Sequence, residues 1–133
     1  MTPNQPVSIP IMPNQIGPPA ANYVHAMLST SPRRWLHTSG VVPVAPDGSV
    51  PADIGAQAEV VWSNILAMLA DAGMSPTAVV SVTTYAVTGQ PLGEVMNQRD
   101  RALGEHQATS TLVTVPQLAR PEWLMEIAIV ACD

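Results

Sequence analysis

The stretch WLMEIAIVA, Trp123 to Ala131, decides how this chain is read. Side chains of an extended strand alternate with period two, so Trp123, Met125, Ile127 and Ile129 line one face, and Leu124, Glu126, Ala128 and Val130 line the other. Both faces are apolar except at Glu126. An unpaired carboxylate in such surroundings costs several kcal/mol, so a partner, a pocket or a shifted pKa has to account for it.

Working back from this segment, TSTLVTV at 109–115 reads as a second strand, joined to LMEIAIVA at 124–131 through PQLARPEW. Before it, Leu92, Val95, Met96, Arg99 and Leu103 mark one face of a short helix that Gly104 stops. The β-branched run AVVSVTTYAV, 78–87, suits a strand covered on at least one face. The strongest helical signal lies upstream of that run. Ile54, Ala58, Val61, Ile65, Met68 and Ala72 recur at helical spacing between Asp53, a fitting N-cap, and Gly73, a fitting C′ residue. Nearer the N-terminus, NYVHAMLS (22–29) and RWLHTSGVVPVA (34–45) read as two strands. The second is interrupted near Gly40 and closed by the turn PDG at 46–48, and the two are expected to form a hairpin. Residues 1–21 hold six of the fourteen prolines and no periodicity, which predicts an irregular segment or an extended arm. The order is β-β-α-β-α-β-β in a single domain over 1–133: an α+β fold, one sheet with two helices packed on one face.

Composition narrows the function classes. The 133 residues are 47% hydrophobic, enough for a core. No apolar run reaches the roughly 18 residues of a membrane span, and the N-terminal segment lacks the basic and apolar regions of a secretory signal, so a cytoplasmic protein without a membrane partner is expected. Five arginines and no lysine stand against ten acidic residues, for a net charge of −5. Nucleic-acid binding runs on phosphate neutralisation, and no basic stripe is present to supply it. Charged residues make up only 11% of the chain, which fits a surface covered in part by other subunits. The single cysteine, Cys132, has no partner for a disulfide and no ligand spacing around it. Neither HExxH nor G-x-S-x-G occurs, so no metal site and no serine triad is expected.

Several local stretches together resemble the Rid family of reactive intermediate deaminases, also called the YjgF or L-PSP family. They are HTSGVVPVAPDGSVPADIGAQAEVVWSNILAMLADAG, VVSVTTYAV, EVMNQRDRALG, QATSTLVTV and MEIAIVA, in that order from about Tyr23 onward. The resemblance implies a chorismate-mutase-like fold assembled as a homotrimer, with small-molecule sites in three clefts between subunits and no cofactor. It also implies hydrolysis of imines or enamines. In such deaminases an Arg in a P-A-R-S/T motif holds the substrate carboxylate, and a Glu of the last strand positions the attacking water. Glu126 stands at the position of that Glu.

The arginine is absent. QATST, 107–111, places Thr109 where the family has Arg, and Thr111 where some members have Cys. A guanidinium–carboxylate pair is bidentate and charge-assisted, whereas Thr109 offers one neutral hydroxyl. Either Arg120, in the loop PQLARPEW, or Arg33 and Arg34 supply the charge from elsewhere, or the substrate is something other than a 2-imino acid. Tyr23 and His25, in NYVHA, fall where the family has a tyrosine-containing segment at the cleft, and His25 could move protons opposite Glu126. Gly40 matches a position where the family's backbone approaches the ligand, with a simple bulge as the plainer reading. His37 is a weaker candidate, and His106, in a loop, is expected to be solvated. The expected catalytic residues are thus Glu126 and His25, with Tyr23, Gly40, Thr109, Thr111 and Arg120 contacting substrate. A trimer that binds a small ligand without turnover is the alternative. The ribonuclease activity suggested by one of the family's names conflicts with the charge balance.

Overall fold

The computed structural model describes residues 6–133. A four-stranded mixed sheet carries the molecule: β3 (Trp35–His37), β4 (Val79–Val87), β5 (Thr109–Val115) and β6 (Met125–Cys132), in the order β3-β6-β4-β5. β6 runs antiparallel to both of its neighbours, while β4 and β5 are parallel. Parallel neighbours need a crossover, and α2 (Leu92–Leu103) supplies it.

The long helix α1 (Ile54–Asp71) forms where its periodicity predicts. Asp53 accepts a hydrogen bond from the Ala56 amide at 2.9 Å, and Gly73 closes the other end at φ +71. Its buried stripe is Ile54, Ala58, Val61, Ile65 and Leu69, so the last turn buries Leu69 and leaves Met68 exposed. At 3.6 residues per turn a series of fours and threes drifts around the helix, and the stripe follows the sheet beneath it. On β6 the alternation read from the sequence holds. Met125, Ile127, Ile129 and Ala131 join α1, Val82, Ala86 and the Val95 and Leu103 of α2 in one core. Glu126, Ala128 and Val130 face the other way and are half-buried.

The N-terminal third departs from expectation. Residues 22–29 and 34–45 do not form a hairpin with each other. β2 (Ala26–Ser29) pairs with β1 (Ser8–Ile11), inside the proline-rich segment, and β3 pairs with β6. The physical reason lies just after the break at 30–33. The Arg33 and Arg34 amides donate to the Asp133 carbonyl, at 2.7 and 3.1 Å, and Asp133 donates back to the Arg34 carbonyl. That clamp commits the following strand to β6 and leaves β2 to take Ser8–Ile11 as its partner. A buried glutamine completes the frame. Gln57 donates to the carbonyls of Pro51 and Glu122, both at 2.8 Å, and accepts from the Leu124 amide, fixing the loop that leads into β6.

Candidate functional site

Glu126 sits on the face of the sheet that carries no helices, opposite Tyr85 of β4. Across the edge of β6 the pairing slips. His37 faces Val130, yet Val41 faces Ile127, so four steps of the edge segment are matched by three on β6. The extra residue is a bulge at Ser39–Gly40, between the Thr38 amide bonded to Ile129 O and the Val41 amide bonded to Ile127 O. Its consequence is local and chemical: the bulge brings the Gly40 α-carbon directly against the Glu126 carboxylate. A Cβ on Gly40 would overlap Oε2 and lie 3.0 Å from Cδ. The bulge read at Gly40 is present, and the group its backbone approaches is the Glu126 carboxylate. Among the described residues no cation pairs with Glu126.

Thr109 and Thr111 occupy the same helix-free face on β5, beside Ser81 and Thr83. With strands about 4.8 Å apart and a rise of about 3.3 Å per residue, Thr111 lies about 12 Å and Thr109 about 16 Å from Glu126 in the same chain. The Thr109 hydroxyl is moreover committed to the Val80 carbonyl at 2.8 Å.

The other candidates separate further. His25 is half-buried in the approach to β2. One ring nitrogen is 2.7 Å from the Gly17 carbonyl, and the ring stands edge-on to Tyr23 at 6.4 Å. Tyr23 itself lines a pocket at the free edge of β5, with Leu92, Met96, Arg99, Ser110 and Leu112. Arg120 lies over the Trp123 ring at 5.4 Å, in the loop before β6. Arg34 is fully engaged: it clasps Asp133 through Nε and Nη2, at 2.9 and 2.6 Å, and donates to the carbonyls of Ala72 and Gly73 just past the end of α1. The hydrogen bond from Arg34 holds the Asp133 carboxyl below its ordinary value and raises that of Arg34. His37 is exposed and stacked on Trp35 at 6.1 Å. His106 is half-buried rather than solvated, its ring 2.7 Å from the Val79 carbonyl, because the turn before β5 folds back against the start of β4.

An open groove of about 770 Å³ runs between residues 36–44 and the outer side of α1. Gly40 and His37 border it, but Glu126 does not. Among the described residues no cluster of His, Cys, Asp or Glu has metal-binding geometry, and no helix is long and apolar enough to cross a membrane. Sequence reasoning did not single out Arg99 as a functional residue. Its signal was present, since Arg99 falls within the apolar series of α2, where a charged residue must be buried.

Comparison with known proteins matches this arrangement. The family model described as Endoribonuclease L-PSP covers residues 14–133. TdcF of Escherichia coli K12, named as a reactive intermediate deaminase, is 30% identical over 86 residues, 64% of this chain and 67% of that protein. The crystal structure of YyfB from Yersinia pestis, described as a Rid-family protein of unknown function, superposes with a TM-score of 0.84 at 30% identity, covering 95% of this chain and 98% of that one. E. coli TdcF with bound serine gives a TM-score of 0.68 at 28% identity, over 92% and 93% of the two chains. With a chorismate-mutase-like α+β fold and a family match over nearly its whole length, the chain belongs to the Rid family, also known as the YjgF or L-PSP family.

Proposed function

We propose that the chain acts as a homotrimer whose intersubunit clefts hydrolyse an imine, an enamine or a related reactive intermediate, without a cofactor and in the cytoplasm. The observation that carries the reading is the half-buried Glu126 carboxylate lodged against the bare α-carbon of Gly40, on the sheet face that carries no helix. Exposed Trp35, Tyr85 and Val113 on that same face support burial against another copy. So does the separation of Glu126 from Thr109 and Thr111 within one chain, about 16 Å and about 12 Å between backbone positions, which the β5 of a neighbouring copy would shorten. The naming of TdcF as a reactive intermediate deaminase and its structure with bound serine support a small nitrogen-bearing ligand.

In this mechanism Glu126 accepts a hydrogen bond from water and takes its proton as the oxygen attacks the C=N carbon. The carboxylic acid so formed returns the proton to the nitrogen, giving a carbinolamine, and the same carboxylate then carries the carbinolamine hydroxyl proton to the nitrogen as the C–N bond breaks, leaving a carbonyl compound and ammonia. The Gly40 backbone hydrogen-bonds the substrate, Thr109, Thr111 and Arg120 of a neighbouring copy contact it, and Tyr23 and His25 border the cleft. The Thr109 hydroxyl, already bound to Val80 O, favours a substrate without the usual carboxylate. The same observation favours the second reading, a trimer that binds a small ligand without turnover.

The test is ammonia release from 2-imino acids generated in situ by an amino-acid oxidase, with the parent protein, Thr109→Arg and Glu126→Ala. Activity gained only by Thr109→Arg means the catalytic frame is intact and the substrate class has changed. Activity in the parent that disappears in Glu126→Ala means another arginine does the work. If neither the parent nor Thr109→Arg releases ammonia, the binding-only reading replaces hydrolysis.

A further inference from the structure

We propose that the pocket at the free edge of β5 is a binding site for a small monocarboxylate with an apolar tail, and that Arg99 is its anion-holding residue. This does not rest on hydrolysis at Glu126. The pocket has a volume of about 270 Å³ and is lined by Ala21, Tyr23, Leu92, Met96, Arg99, Ser110 and Leu112. At roughly 30 Å³ per water this equals about nine waters, enough for an organic acid of a few carbons.

The guanidinium is the unusual feature. The Arg99 side chain is 7% exposed. A guanidinium has five N–H donors, and the protein engages three of them. Nε and Nη2 both donate to the same oxygen of Asp100, at 3.1 and 3.0 Å, and Nη1 donates to the Ser110 hydroxyl at 3.2 Å. One N–H on each terminal nitrogen has no acceptor among the described residues. Nη1 and Nη2 thus each keep a donor for a carboxylate, whose charge-assisted hydrogen bonds to a guanidinium are the strong kind.

Asp100 is itself held away from the pocket. Its Oδ1 accepts from Asn22 Nδ2 at 3.0 Å as well as from Arg99, and Gln107 in turn donates to Asn22. The guanidinium is therefore fixed in place from one side, and Arg99 lines the pocket. Leu92, Met96 and Leu112 give the rest of the wall an apolar surface, which selects a tail without further polar groups. Ser110 and Leu112 lie on the helix side of β5, alternating with Thr109 and Thr111 on the other side. The proposed site is thus distinct from the position where Thr109 replaces arginine.

The probe is sodium butanoate, titrated into the full-length protein while the methyl resonances of Leu92, Met96 and Leu112 are followed by NMR. Binding in the millimolar range is expected, with shifts concentrated at those three residues, and butanamide, which lacks the charge, binds at least tenfold more weakly. Arg99→Met weakens butanoate by at least tenfold, and Arg99→Lys retains part of the affinity. Met96→Trp keeps the guanidinium but fills the pocket, and it abolishes binding even if Arg99→Met fails to fold. The proposal is overturned if butanamide binds as well as butanoate, if either Arg99→Met or Met96→Trp binds butanoate like the parent, or if the parent's resonances do not move.

Discussion

Glu126 occupies the space that a side chain at position 40 would need, and this makes the pair testable one residue at a time. Gly40→Ala must push the carboxylate aside or shift the bulge, and overpacking of this kind costs about 1–3 kcal/mol. The cost is expected to shrink sharply in a Glu126→Ala background, where the obstructing atoms are gone. Urea unfolding of the two single variants and the double variant measures that coupling. Equal costs in both backgrounds would mean that Gly40 serves the bulge alone. Both residues were visible in the sequence for local reasons, one as a charge in an apolar strand and the other as a glycine breaking a strand. Their contact was not, because it depends on a one-residue slip between segments more than eighty positions apart. Gln57 was equally hidden. It lies beside the apolar stripe of α1, and only the fold reveals the carbonyls and amide that satisfy it. Gln57→Leu keeps the bulk but strands these three backbone groups, and a loss of about 3 kcal/mol is expected from thermal or chemical unfolding.

At the scale of elements, the helices were legible because α1 announces both of its ends and α2 its last. Asp53, Gly73 and Gly104 act within a turn of where they stand, and the apolar period is carried by residues close in sequence. Strand pairing carries no such local mark. The segment 22–29 alternates as a strand should, but its partner is decided by the clamp at the far end of β6, where Arg34 meets Asp133. That clamp yields a prediction in pH. The Asp133 carboxyl is held below its ordinary value in the folded protein, chiefly by the Arg34 hydrogen bond, so the unfolded chain binds its proton first as pH falls. Its contribution to stability is present above about pH 4 and is lost as pH drops through the lower, folded value. Asp133→Asn is expected to flatten this part of the acid limb in melting temperatures measured from pH 6 to pH 2. If parent and variant lose stability in parallel over that range, the Arg34–Asp133 side-chain pair adds nothing to the junction and the backbone bonds alone hold it.

For the whole molecule, the distances within one chain set the terms. Glu126 lies two strands away from β5, and an approach of about 12 Å to Thr111 is the nearest that the register allows between Glu126 and either candidate threonine. A ring of three copies in head-to-tail contact can bring one chain's Glu126 to the next chain's β5, and a heterologous interface of this kind closes on itself by rotation. Light scattering is then expected to give three times the 14.0 kDa chain mass. Mixing provides a sharper test, because it asks whether a site is shared rather than merely whether chains associate. Take Glu126→Ala, which removes the acid, and Thr111→Trp, which blocks the β5 side, each inactive toward the substrate found in the ammonia assay. Unfolded together in equal amounts and refolded, each cleft draws its two halves independently. About one cleft in four then receives an intact half from both chains, and about a quarter of the parent activity returns. If each chain instead carried a complete site, every site would keep one defect or the other, and mixing would restore nothing.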